Sequence, residues 1–161
     1  MNPIEIENKL KSQSFIEPEM IDAAFEFWFS NSEHIRSPFP EYIRENLRLA
    51  ATDKFLNWNS AITEKARKEI NDEILAEKFE EIIFEQALDM VLTEDEKLTI
   101  RYPFLLRIDD IIKSKDAPDD KSESKVIDRW FLKRGDFSFM KVKLKNVATG
   151  VERETEFELP E

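Results

Sequence analysis

The feature that most constrains this chain is a stretch near its C-terminal end in which charged and uncharged residues alternate on both sides of one turn. The segment Asn146–Gly150 suits a type I turn followed by a left-handed glycine. This turn predicts three pairs of opposite charge on one face of an antiparallel hairpin: Lys145 with Glu152, Lys143 with Glu154 and Lys141 with Glu156. On the other face the same register predicts two pairs: Val142 with Thr155 and Met140 with Phe157.

Alternating residues over 126–132, 137–144 and 151–159 predict three strands. If Arg134 and Gly135 form a two-residue turn, the predicted pairs are Lys133 with Asp136, Leu132 with Phe137 and Trp130 with Phe139. Four bulky residues then share the face of the Lys–Glu pairs: Trp130, Leu132, Phe137 and Phe139. The opposite face receives a second apolar set: Ile127, Phe131, Met140, Val142 and Phe157.

Apolar residues on both faces of the meander leave two interpretations. A three-stranded meander is marginally stable alone, so one face must pack on the helices. The other face is either covered by the linker or a helix, or exposed as an aromatic patch that binds a partner or a second copy.

Before residue 114 the apolar residues recur at helical spacing, and capping residues mark the ends. Four helices are predicted first: residues 3–11 after Asn2, residues 17–30 around Pro18, a third from Pro38 and Pro40 to Trp58, and a fourth over 63–92. A fifth begins at a capping box of Thr93 and Glu96, is interrupted at Pro103 and resumes through Ile112. The polar residues 114–124 predict a flexible linker.

These segments predict an α+β fold, in which a four- or five-helix bundle is followed by a C-terminal three-stranded antiparallel β-meander. The prediction is one domain over residues 1–161, with a helical part at 1–113, the linker at 114–124 and the meander at 125–161. Thirteen Phe and three Trp supply enough apolar volume for a core.

The predicted fourth helix carries acidic residues at every fourth position: Glu69, Glu73, Glu77, Glu81, Glu85 and Asp89. Side chains at this spacing are neighbours, so they form a row along the helix. The functional interpretation is a docking strip for a basic partner or a weak divalent-cation surface. The alternative is a solvated face, because the apolar residues of the helix lie on roughly the opposite side.

The composition removes most recognisable catalytic and cofactor sites. The chain has no Cys, so it lacks disulfides, thiolate nucleophiles and cysteine-ligated metals. Its two glycines exclude phosphate loops and dinucleotide fingerprints. The one histidine, His34, follows Glu33 in a polar loop with no nucleophile elbow around it. We therefore predict no catalytic residue, no metal site and no cofactor.

The formal net charge of −11 opposes binding to nucleic acid and to anionic membranes, but it allows a basic protein partner. Residues 1–10 lack the apolar block of a signal peptide, and the apolar stretch 23–29 is too short to span a bilayer. The expectation is a soluble, cytoplasmic protein.

Two functional hypotheses follow. The leading one is a non-enzymatic, acidic protein–protein interaction module, or a homo-oligomer, that uses the aromatic end of the meander, the acidic row or both. Its predicted partner-binding residues are Trp130, Leu132, Phe137, Phe139, Glu73, Glu77, Glu81 and Glu85. The alternative is a small-ligand-binding protein or enzyme with a pocket between the helical bundle and the meander.

Overall fold

The structure, a computed structural model, describes residues 2–13, 16–31, 36–113 and 123–160. Within these residues the chain forms six α-helices followed by a four-stranded antiparallel sheet, which confirms the α+β class. It divides into two compact units, Met1–Pro103 and Phe104–Glu161. The prediction of a single domain stays a prediction.

The first unit is helical. Its helices are α1 (Pro3–Lys11), α2 (Pro18–Phe29), α3 (Glu41–Ser60), α4 (Glu64–Arg67), α5 (Asp72–Met90) and α6 (Glu94–Arg101). Four of them begin at a side chain that accepts a backbone N–H of the first turn, namely Asn2, Thr63, Asn71 and Thr93. The capping box predicted at Thr93 is confirmed.

The long helix predicted over residues 63–92 is wrong, because two helices, α4 and α5, occupy this segment. Asn71 caps α5 by accepting the backbone N–H of Ile74 at 2.9 Å. Asn is among the best N-cap residues. Asp72 and Glu73 lie in the first turn of α5, where negative charge interacts favourably with the helix dipole. Glu69 therefore lies between the two helices, so the acidic row of α5 begins at Glu73.

The core of the helical unit is one cluster of buried apolar residues. Phe79 of α5 contacts Phe25 of α2 and Phe55 of α3, with ring centroids 5.4 and 4.6 Å apart. Leu47 and Ile83 are completely buried beside them. The cluster fixes α2, α3 and α5 against one another.

The second unit is a sheet of strands β1 (Ile111–Lys113), β2 (Glu123–Arg134), β3 (Phe137–Asn146) and β4 (Glu152–Glu158), in the order β1-β2-β3-β4. The predicted meander therefore lacked one strand. Residues 111–113 pair with β2, where the sequence predicted helix through Ile112. Part of the predicted linker, Glu123 and Ser124, also belongs to β2. The remaining linker residues, 114–122, lie outside the described residues.

The chain does not resume a helix after α6 because it turns between Pro103 and β1. The side chain of Asp110 accepts the backbone N–H of Arg107 at 2.8 Å. Asp109 adopts a left-handed conformation with φ of 77°. A left-handed residue ends a right-handed helix, and Asp is one of the few residues that tolerate it.

The predicted β3–β4 hairpin is confirmed in its register. Lys145 pairs with Glu152 and Val142 with Thr155, and Gly150 has a φ of 72°. The backbone N–H of Gly150 donates to the carbonyl of Asn146 at 2.9 Å.

The register predicted for β2 and β3 is wrong by two residues. Gly135 and Asp136 form the turn, and Arg134 pairs with Phe137 and Leu132 with Phe139. Gly135 has a φ of 61°, and a type II′ turn takes glycine at its first central position. A two-residue shift keeps every side chain on its face, whereas a one-residue shift would reverse them. Ile127 is the exception, because the register shifts between Val126 and Asp128 and leaves it as the extra residue of a bulge.

Candidate functional site

The two faces of the sheet differ in burial. Val126, Met140 and Val142 are completely buried on one face, which we call the covered face. Arg129 lies on the same face with 4% of its surface exposed. Its guanidinium Nη1 donates to the carbonyl of Leu106 at 2.7 Å, so the segment that follows α6 contributes to covering this face.

The opposite face, which we call the open face, carries the four apolar residues predicted to bind a partner. The pairing of Leu132 with Phe139, and of Phe137 with Arg134, places them together at the β2–β3 end of the sheet. Trp130, Leu132 and Phe139 are half-buried, and Phe137 is 56% exposed. The structure thus brings together the predicted aromatic patch.

Arg134 connects the aromatic and the charged parts of the open face. Its Nη1 lies 2.6 Å from Oε2 of Glu156, and its guanidinium carbon lies 5.4 Å from the centre of the Phe139 ring. A cation placed over an aromatic ring is attracted to the negatively polarised face of the ring. This side chain is therefore held against both its neighbours.

The Lys–Glu ion pairs of the open face are diagonal, although the sequence predicted directly opposite pairs. Lys141 lies 3.1 Å from Glu154, and Lys143 lies 3.2 Å from Glu152. Each lysine thus contacts the glutamate two residues before its register partner. Long side chains reach diagonal neighbours in an antiparallel pair. Glu156 is therefore not paired with Lys141 and instead forms an ion pair with Arg134, so each of these three basic residues has an acidic partner on the open face.

The acidic row of α5 is exposed in all five of its remaining positions, which are Glu73, Glu77, Glu81, Glu85 and Asp89. Two of them have basic neighbours: Glu81 lies 3.5 Å from Lys78, and Glu85 lies 3.8 Å from Lys54. No group of three or more potential metal-ligating side chains converges anywhere in the described part of the chain.

An apolar groove between α2 and α5 was not predicted from the sequence. It has a volume of about 300 Å³ and is lined by Met20, Ala23, Ala24, Phe27, Trp28, Ala76, Phe79 and Glu80. Phe27 is 48% exposed, and its ring stands edge-on to that of Trp28 at 5.1 Å. The sequence feature that could have indicated this groove is the pair Ala23-Ala24 near Phe27, because small residues on a helix surface leave a depression beside a large one.

Titratable groups with shifted pKa values occur where α3 meets the start of α6. The Tyr42 hydroxyl donates to Oε2 of Glu96 at 2.7 Å, and Glu96 Oε1 accepts the backbone N–H of Thr93 at 3.0 Å. Loss of solvent and the hydrogen bond to Glu96 raise the pKa of Tyr42. For Glu96, partial burial acts to raise the pKa, but the hydrogen bonds from Tyr42, Thr93 and Leu92 outweigh it, so the pKa lies below its ordinary value. This arrangement caps a helix.

His34 lies outside the described residues, so the expectation that it is not catalytic stays a prediction. Comparisons with protein-family models, with curated proteins and with solved structures found no match to this chain. Within the described residues, no helix has both the length and the apolar character that crossing a membrane requires.

Proposed function

We propose that this chain is a non-enzymatic protein–protein interaction module that binds through the open face of its sheet. The observation that carries the proposal is the aromatic patch at the β2–β3 end, where Phe137 is 56% exposed beside three half-buried apolar residues. Exposed apolar patches rimmed by polar residues mark interaction sites on soluble proteins. Here Arg134 and Lys141 form that rim.

The composition of the patch supports a protein as the partner. Interface cores are enriched in Trp, Phe and Arg, and their rims are polar. The net charge of −11 argues against nucleic acid, whose phosphates require basic residues. The absence of cysteine is compatible with a reducing compartment, and on this basis we also propose a cytoplasmic location.

The partner we propose is a second copy of the chain, related by a two-fold axis. Such an interface needs one self-complementary patch rather than two different ones. The ion pairs of Arg134, Lys141 and Lys143 leave the open face with little unbalanced charge, so two copies can approach there. Elsewhere the copies repel through their net charge, and salt should therefore strengthen the dimer by screening.

Analytical ultracentrifugation over micromolar to millimolar concentrations tests this proposal. We expect a monomer–dimer equilibrium that salt strengthens and that a Trp130→Ser, Phe139→Ser double variant abolishes while remaining folded. A parent chain that is monomeric at every concentration would exclude the second copy. An unfolded double variant would show that these residues belong to the core instead. The second hypothesis, a small-ligand-binding protein or enzyme, stays a prediction.

A further inference from the structure

We propose that the groove between α2 and α5 is a second binding site, and that its ligand is a basic amphipathic helix of a partner protein. The site lies wholly within the helical unit and does not depend on the open face of the sheet. Three features support it: the shape of the groove, the distribution of charge on its two helices, and the exposure of a large aromatic residue that lines it.

The shape of the groove fits the apolar side of a helix. The small side chains of Ala23 and Ala24 on α2 and of Ala76 on α5 leave space between the helices, and the buried Phe79 also lines this space. An amphipathic helix places bulky residues at every third or fourth position, and such residues enter grooves between helices. The 12 residues of α2 span about 18 Å, or about three turns of a ligand helix.

Phe27 provides a contact that the isolated chain leaves unused. Its side chain lines the groove and is 48% exposed. Its ring meets the Trp28 ring edge-on, with the two ring centroids 5.1 Å apart. A ligand helix seated in the groove would remove this ring from water, which is favourable in proportion to the apolar area buried.

Both helices that form the groove carry carboxylates within one helical turn of the residues that line it. On α5, Glu80 lines the groove directly. Glu73 lies three residues before the lining residue Ala76, and Glu77 lies three residues before Glu80, so both are neighbours of lining residues on the helix surface. On α2, Glu19 and Glu26 lie one turn to either side of Ala23. Among the described residues, none of these five carboxylates has an ion-pair partner within 4.0 Å.

Within the two described helices that form the groove, no basic residue lines it. Helix α2 contains no Lys or Arg, and Lys78 of α5 instead lies 5.8 Å from the Trp58 ring and 3.5 Å from Glu81. An apolar surface between two acidic sides is complementary to a helix with one apolar face flanked by Lys or Arg. It opposes an acidic ligand, and a second copy of this acidic chain is disfavoured for the same reason.

The probe for this site is a labelled 14-residue peptide of Leu and Lys in an amphipathic helical pattern, and its binding is followed by fluorescence anisotropy. We expect saturable binding that salt weakens, and no binding of the same pattern written with Glu for Lys. Neutralising Glu73→Gln and Glu77→Gln should weaken the binding roughly tenfold, as two lost charge pairs imply. Filling the groove with Ala23→Trp should weaken it further, because position 23 is exposed and the new ring occupies the ligand's place.

The matched control is Glu85→Gln with Asp89→Asn, which removes the same charge from the same helix on the side where Glu85 faces Lys54. We expect this variant to bind the peptide as the parent does, and thermal melting checks that all variants are folded. Equal weakening in the control would show that only overall charge attracts the peptide and would overturn the proposal. The proposal would also be overturned if the parent chain did not bind the peptide, or if it bound the Leu/Glu peptide equally well. Loss of self-association in Ala23→Trp would overturn it too, because the groove would then be part of the contact between copies.

Discussion

Phe137→Ser is the perturbation that most directly tests the open face as a dimer interface. Fully burying a Phe side chain contributes about 1.5–3 kcal/mol. Phe137 is 56% exposed, so burial of its exposed part in a dimer contributes about 1–1.5 kcal/mol in each copy. A two-fold interface counts this contribution twice, so the dimer should lose about 2–3 kcal/mol, or about 30- to 150-fold in Kd.

Phe131→Ser provides the matched control because Phe131 lies in the same hairpin and is 45% exposed. Its register partner is Met140, on the covered face, so it lies opposite the proposed interface. Sedimentation equilibrium on both variants should show weaker dimerisation for Phe137→Ser and little change for Phe131→Ser. Urea unfolding of both should remain close to that of the parent, since each residue is already half exposed.

Two outcomes would refute this reasoning. Equal loss of dimerisation in both variants would mean that either exposed Phe at the hairpin tip promotes association, so the open face has no special role. Dimerisation that survives Phe137→Ser unchanged would place the interface elsewhere in the chain.

Three further predictions concern stability and pH. Leu47→Ala should cost about 2–5 kcal/mol in urea unfolding, because Leu47 is completely buried among α2, α3 and α5, and Leu47→Met should cost far less. Thr93→Ala should cost about 1 kcal/mol by removing the N-cap of α6, and Thr93→Ser should retain most of the stability. The hydrogen bonds that lower the pKa of Glu96 stabilise the fold at pH values above the ordinary Glu pKa, and this stabilisation is lost as the pH falls through the lower pKa of the folded state. In Tyr42→Phe, an NMR titration of the Glu96 carboxyl should show a higher pKa than in the parent, because one of these hydrogen bonds is removed. An unchanged pKa would contradict the assigned cause.

Local chemistry explains which elements the sequence predicted well. In the β3–β4 hairpin the turn from Asn146 to Gly150 and the cross-strand charges independently require one register, so two local signals agree. The start of α6 follows from Thr93 and Glu96 alone. At the β2–β3 turn, Gly135 can occupy either the first or the second central position, and the predicted position was the wrong one. The residues were nevertheless assigned to the correct faces of the sheet, because the two registers differ by an even number of residues.

The errors occur where structure depends on residues distant in sequence or on competing local preferences. Strand β1 has three residues, and its pairing with Lys125 and its neighbours decides its conformation more than its own pattern does. At Asn71 a capping preference competes with a continuous helical pattern, and capping prevails. The groove requires α2 and α5 to lie side by side although Ala24 and Ala76 are far apart in the chain. Periodicity alone specifies a helix face but not the helix that packs beside it.

The charges of β4 indicate why a second copy would meet the open face of this sheet rather than its β4 edge. In the described part of the chain, β3 is the one strand hydrogen-bonded to β4. If two copies of β4 paired antiparallel about Thr155, Glu154 would lie opposite Glu156 and Glu152 opposite Glu158. Like charges directly opposite destabilise a strand pair, and charged edges are a common protection against such pairing. The β4 edge thus disfavours self-association while the ion pairs of the open face permit it, which supports the proposed face-to-face dimer.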